Sequence, residues 1–322
     1  MTSPARRLLV LGAAALLFVC GALALAYEYG LIEFGDPYLE LPDDESVTLS
    51  FAGTLPAEGE SPLAAPLGIA IGGRRVFVAE SGAGRVAVFS TGGTRLSSIV
   101  LPVAPGASRA VPTSVAALGP RRVAVIDAAA GEVLVVRAVG DEGAVLFRVG
   151  ERDPATAPVN PTAVAYADGA LYVADAASAS IRRYDKRGRY ESEIGAGLEP
   201  PLGYIGGMAV ADGKLVLAES GSDRVFRIDL DTGERADLCP GVQALPRGIG
   251  ATTGGGVAIT EVLGGTVYVC DGAGERINTV DRTSLPDVAP GAPEGVAWRN
   301  RTGRLYITDP DQGKVVLINV RM

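Results

Sequence analysis

No histidine occurs anywhere in the 322 residues. That absence removes His-based general base catalysis, Ser-His-Asp chemistry and every His-ligated zinc, copper or haem site. Catalysis would have to rest on carboxylates, Lys, Tyr or an oxygen-ligated cation. Cysteine occurs three times and tryptophan once, and no CxxCH haem-attachment motif is present. Aromatics make up 6% of the chain, so a core has to be filled by Val, Leu, Ile and Ala. Positive charge is also in deficit, with 29 Lys and Arg against 37 Asp and Glu. An acidic surface repels phosphate backbones, which argues against nucleic acid as a partner. What is abundant is apolar character, at 48%, and glycine, at 43 residues. Together they indicate a large core made of short strands joined by many tight turns, and no disorder.

Residues Leu8 to Ala26 carry no charge over 19 positions. As a helix such a run would be about 28 Å long, close to the hydrocarbon thickness of a bilayer. Arg6 and Arg7 precede it, so the positive-inside rule sends everything after Tyr27 across the membrane. Residues 1–27 are therefore expected to be either a membrane anchor or a signal peptide cut after Ala24-Leu25-Ala26, a small-x-small site. Val19 ahead of Cys20 departs from the small residue that lipoprotein signals place there. Residues 28–45 are acidic, contain Pro37 and Pro42, and read as a spacer.

The rest of the chain repeats. Each unit has an apolar strand that often follows Pro, a Gly-rich or basic turn, a β-branched strand ending in Asp or Glu, a small-residue turn and two further strands. The acidic residues keep the register: Glu80, Asp127, Asp175, Glu219, Glu261 and Asp309, at intervals of 42 to 48 residues. That period matches a four-stranded propeller blade. The sixth copy ends after its third strand, and the free strand Ser46–Gly53 is placed to supply its outer one. The expectation is an all-β, six-bladed β-propeller of four-stranded antiparallel blades over 46–322. An N-terminal strand closes the last blade, and one apolar helix precedes the domain. Closure abolishes the exposed edges an open sheet would present.

The segments VFVAESGAGRVAVFSTGG (76–93) and LVLAESGSDRVFRIDLDTG (215–233) carry a pattern of apolar strand, acid, small turn, Arg-Val, aromatic and a following turn. This resembles the NHL family of six-bladed propellers, over roughly residues 46–320. The family's Asn-His-Leu signature has no counterpart in a chain without histidine.

Five residues after the acid stand Arg85, Arg224 and Lys314 in blades 1, 4 and 6. They are expected to form structural pairs Glu80–Arg85, Glu219–Arg224 and Asp309–Lys314, each acid also accepting turn amides. Departures from the repeat are the better functional signal. The second residue of each inner strand lies near the channel mouth: Leu67, Thr113, Thr162, Gly206, Arg247 and Glu294. Arg247 and Glu294 fall on neighbouring blades, where they can pair or contact a polar ligand or a partner, with Thr113 and Thr162 beside them. Trp298 reads as filling between blades. Cys239 and Cys270 fall at opposite ends of their blades in this register. A disulfide needs Cα atoms within about 7 Å, so the register argues against one.

The reading that results is an extracytoplasmic, non-catalytic binding or scaffold propeller. It engages a protein partner in or near the membrane, as part of a membrane-associated complex or as a sensor with a separate membrane partner. No cofactor is implied, and a small-molecule ligand stays open. The alternative is a divalent-cation-dependent propeller enzyme of the lactonase or lyase type. The families this architecture resembles hold such a cation with Glu, Asn and Asp or with His, and Asn160, Asn278, Asn300 and Asn319 fall outside the inner-strand channel positions.

Overall fold

A computed structural model describes residues 47–321 except 140–141, 199, 243–244 and 253. The apolar run and the acidic spacer lie outside the described residues. Among the described residues no helix is long and apolar enough to cross a membrane.

The chain forms six four-stranded sheets. Blade 1 is β2 (Pro66–Gly72), β3 (Arg75–Glu80), β4 (Arg85–Ser90) and β5 (Arg95–Val100). Blade 2 is β6 (Pro112–Ala117), β7 (Arg122–Asp127), β8 (Glu132–Val139) and β9 (Glu142–Arg148). Blade 3 is β10 (Pro161–Ala167), β11 (Ala170–Asp175), β12 (Ser180–Asp185) and β13 (Tyr190–Ile194). Blade 4 is β14 (Ile205–Ala211), β15 (Lys214–Glu219), β16 (Arg224–Asp229) and β17 (Arg235–Asp237). Blade 5 is β18 (Pro246–Ala251), β19 (Val257–Glu261), β20 (Thr266–Cys270) and β21 (Arg276–Val280). Blade 6 is β22 (Val296–Arg299), β23 (Arg304–Asp309), β24 (Lys314–Arg321) and, as its outer strand, β1 (Thr48–Leu55).

The chain is thus an all-β six-bladed propeller closed by its N-terminal strand. The clasp pairs Thr48 with Arg321 and Leu55 with Val315, with a register shift between Phe51 and Gly53. It is displaced two residues from the expected Ser46–Gly53, because Leu55 rather than an earlier residue is fully buried against blades 1 and 6.

The strands are apolar at nearly every position because each blade is buried on both faces. In β3, Phe77 and Ala79 pack towards blade 2, while Val76 and Val78 pack towards blade 6. The core consists of six such seams, one between each pair of neighbouring blades. Trp298 lies in the seam between blades 5 and 6, against Val267 and Leu305, as a space filler.

All inner strands start on one face, called here the mouth face. The links that enter each blade and the turns between second and third strands lie there as well. The opposite, far face carries the turns between first and second and between third and fourth strands. Because Thr48 pairs with Arg321, the chain enters the propeller on the far face.

Candidate functional site at the channel mouth

Five of the six blades place their entry residue by one repeated device, while in blade 5 Glu261 takes the Tyr268 hydroxyl. The acid closing the second strand is buried, at 0 to 5% exposure. It accepts an amide from the link entering its own blade: Ala64 to Glu80, Val111 to Asp127, Val159 to Asp175, Gly203 to Glu219 and Gly291 to Asp309. The carboxylate ties the end of the second strand to the start of the first, and so fixes where the entry residue stands.

Glu80 also takes Arg85 Nε at 2.5 Å and Arg95 at 3.4 Å, and Glu219 takes Arg224 Nη2 at 2.6 Å together with the Ser222 hydroxyl. Burial pushes the Glu80 carboxyl up, but the Arg85 hydrogen bond, the Ala64 amide and the two guanidinium charges outweigh it. The net position is below the usual carboxylate range. Glu219 is lowered in the same way, burial being outweighed by Ser222, the Gly203 amide and Arg224. The third expected pair does not form. Asp309 and Lys314 stand opposite each other in the β23–β24 ladder, yet among the described residues no ion pair joins them. The carboxylate is engaged by the Gly291 and Gln312 amides instead, and an ammonium lacks the fork with which Arg85 and Arg224 wrap their acids.

All six entry residues, Leu67, Thr113, Thr162, Gly206, Arg247 and Glu294, line one cavity of about 210 Å³ at the channel mouth. Among the residues lining it Arg247 is the only base and Glu294 the only acid. Arg247 Nε lies 3.3 Å from Glu294 Oε2, and the guanidinium carbon is 6.0 Å from the centre of the Tyr204 ring. Burial pushes the Glu294 carboxyl above its usual range, and the charge and hydrogen bonding of Arg247 offset this only in part. The buried Thr162 hydroxyl has no hydrogen-bond partner among the described residues.

The backbone around the cavity is pulled tight. A Cβ on Gly207 would lie 1.7 Å from the Arg247 carbonyl oxygen, and one on Gly295 2.4 Å from that of Leu67. Two buried threonines stitch these strands. Thr260 accepts from the Gly248 amide and donates to the Glu294 carbonyl; Thr308 accepts from Gly295 and donates to Leu67. Both stand one residue before the acid, where other blades carry Ala or Ile. That departure from the repeat was visible in the sequence; its role needed the seam.

Two expectations are corrected. Cys239 and Cys270 form a disulfide, with Cα atoms 5.9 Å apart. The strand-end argument failed because β17 has only three residues. Leu238 makes the last ladder bond, to Val225, and the chain then crosses so that the Cys239 amide donates to Gly274 in the β20–β21 turn of the next blade. Asn160, expected away from the channel, lines the mouth cavity from the residue just before β10. Asn278 instead lies on the outer strand β21, where it donates to the Val47 carbonyl. Asn300 lies in the turn after β22, and Asn319 lies on β24. Among the described residues no group of three or more His, Cys, Asp or Glu side chains could hold a metal ion.

The mouth face is mixed: its entry links carry exposed Glu58, Glu60, Arg109, Glu151, Arg152, Asp153, Arg282 and Asp287, while small residues dominate the turns between second and third strands. Its turns between second and third strands read SGAG, AAAG, AASA, SGSD, VLGG and PDQG. Exposed apolar side chains stand on it: Val100, Val103, Val159, Tyr204 and Leu263, from 44 to 76% exposed. The other large exposed hydrophobics lie on outer strands: Phe51, Leu96, Val145, Leu146 and Tyr190.

No family model and no curated protein matches the chain in sequence. Solved structures match in fold. A gluconolactonase from Xanthomonas campestris superposes with a TM-score of 0.60 at 14% identity, covering 84% of this chain and 99% of that one. A virginiamycin B lyase from Staphylococcus aureus, described as catalytically inactive with one histidine replaced by alanine, gives 0.56 at 15% identity and 83% of each chain. A chain of a nidogen/laminin complex gives 0.55 at 19% identity, covering 72% of this chain and 92% of that one. Enzymes and an assembled complex thus share the scaffold, and at these identities the likeness speaks for the six-bladed fold alone.

Proposed function

We propose that this chain is an extracytoplasmic, non-catalytic NHL-type propeller whose mouth face binds a protein partner, with Leu8–Ala26 holding it to the membrane or released by cleavage after Ala26. The observation that carries this reading is the mouth face itself. Exposed Val100, Val103, Val159, Tyr204 and Leu263 stand on the face whose centre is a cavity with one ion pair. Apolar anchors around a polar centre are what a protein docking site uses. The buried Cys239–Cys270 disulfide favours an oxidising compartment. The lyase neighbour is inactive without one of its histidines, and this chain has none.

The test is site-specific photocrosslinking of the full chain in its native membrane. A crosslinker at Leu263 is expected to capture one protein, and Val159→Asp with Tyr204→Asp to abolish that capture. A crosslinker at the exposed far-face Thr302 is expected to miss it. Equal capture from both faces would overturn the reading.

The alternative is a propeller enzyme acting at the same cavity. The raised pKa of Glu294 favours it, since perturbed carboxyls gather at reactive sites. A stoichiometric divalent ion in the purified protein together with turnover of a lactone would establish that alternative.

A further inference from the structure

The far face carries an excess of positive charge at blades 6 and 1. In blades 6 and 1 its turns are residues 299–304 (RNRTGR), 72–75 (GGRR) and 90–95 (STGGTR), which hold six arginines and no acid. Arg74, Arg301 and Arg321 are exposed there and make no ion pair among the described residues, although the chain as a whole is acidic. Arg304 is held towards the clasp, donating to Asn319, whose side-chain amide lies 3.5 Å from Ser50 on β1. In blades 4 and 5 the outer turns are mixed instead, with Asp229, Asp231 and Glu234 beside Arg235, and Asp271 and Glu275 beside Arg276.

The chain enters the propeller beside the basic arc, since Val47 leads directly into the Thr48–Arg321 pair. The eighteen residues before it, 28–45, contain seven acids (Glu28, Glu33, Asp36, Glu40, Asp43, Asp44 and Glu45), no base, and Tyr29, Phe34 and Tyr38 between them. Carboxylates and aromatic rings are the two groups a guanidinium plane binds best. An extended chain covers about 3.3 Å per residue, so Asp43 to Glu45 fall within reach of Arg321 and Arg301, and the earlier acids within reach of blade 1. Attachment makes the encounter intramolecular, at an effective concentration of order millimolar.

We propose that the acidic and aromatic segment 28–45 docks along the arginine arc of blades 6 and 1. The docked segment sets how the propeller stands on its point of attachment and holds the mouth face away from it. This goes beyond the partner reading and is independent of it, because the segment remains whether the apolar run is retained or cleaved after Ala26. An anionic lipid surface could claim the same arginines, but the segment's own seven acids would lie between them and it.

The test is limited digestion of the full chain in neutral detergent micelles with a glutamate-specific protease, followed at Glu33, Glu40 and Glu45. Cleavage of the wild type is expected to be slow. Arg74→Glu with Arg301→Glu and Arg321→Glu is expected to speed it about tenfold or more at unchanged Tm, and 0.5 M salt to do the same to the wild type, because the contacts are exposed and screened. Adding Asp43→Arg and Asp44→Arg to the triple variant is expected to restore protection. Equal cleavage of wild type and triple variant would overturn the proposal. So would protection that appears only on vesicles containing anionic phosphatidylglycerol, which would assign the arc to the membrane.

Discussion

Among the charged residues, two carboxylates with opposite environments divide structure from site. Glu80 is buried, accepts a backbone amide and is wrapped by Arg85; Glu294 is half-buried beside a single partner, Arg247. Glu80 and Glu219 titrate below their ordinary range when folded, so the unfolded chain binds more protons near pH 4. Their stabilisation is full above the unfolded value of 4.5 and is lost as pH falls towards the folded one. Glu294 runs the other way, since its raised pKa makes its charge oppose folding as pH rises. At pH 7, Glu80→Gln is expected to cost on the order of 2–4 kcal/mol in urea denaturation, by removing the charge paired with Arg85 and setting a side-chain NH2 donor against its guanidinium. Glu294→Gln is expected to leave Tm unchanged or raised. At pH 3.5 the Glu80→Gln deficit should shrink. A second residue-scale outcome concerns Gly207, where any Cβ would strike the Arg247 carbonyl. Gly207→Ala is expected to destabilise the fold and to weaken partner binding together, whereas Gly213→Ala, a strained but uncrowded turn position, should affect stability alone.

The elements depend on closure. β1 gives blade 6 its fourth strand, and Leu55 at its end is fully buried in the seam of blades 6 and 1. Leu55→Ala is expected to cost about 2–5 kcal/mol, as for other buried leucines, measured by thermal or urea unfolding. Removing 47–55 altogether would uncover the edge of β24 and is expected to yield aggregation rather than a five-and-a-half-bladed monomer. The inner strands of blades 5, 6 and 1 rely on the Thr260 and Thr308 hydroxyls. Thr308→Val keeps the shape but strands the Gly295 amide and the Leu67 carbonyl, and about 1–3 kcal/mol of lost stability is expected. Thr308→Ser should recover most of it.

For the molecule as a whole, the disulfide joins blades 4 and 5 across a separation of 31 residues. Loop-closure entropy for that length corresponds to about 3–4 kcal/mol. Cys239→Ser with Cys270→Ser is expected to lower stability by that order without changing the fold by circular dichroism. Both sulfurs are buried, so the native protein should resist thiol reagents until it unfolds. The mouth face carries exposed Val100, Val103, Val159, Tyr204 and Leu263, and the far face of blades 6 and 1 carries exposed Arg74, Arg301 and Arg321.

Periodicity determined the blade count, the need for a clasp strand ahead of the first copy and the six residues that enter the mouth, because a four-stranded blade buried on both faces must repeat its apolar strands and its acid at one spacing. The partners of those acids were legible where arginine stood at the fifth position, as at Arg85 and Arg224, and misleading at Lys314, whose register matched but whose shape did not. Only the tertiary structure decided the Cys239–Cys270 bond, the place of Asn160 and the stitching by Thr260 and Thr308. Each depends on how one blade leans on the next, and contacts between blades follow from sheet twist and short outer strands, which leave no period in the chain.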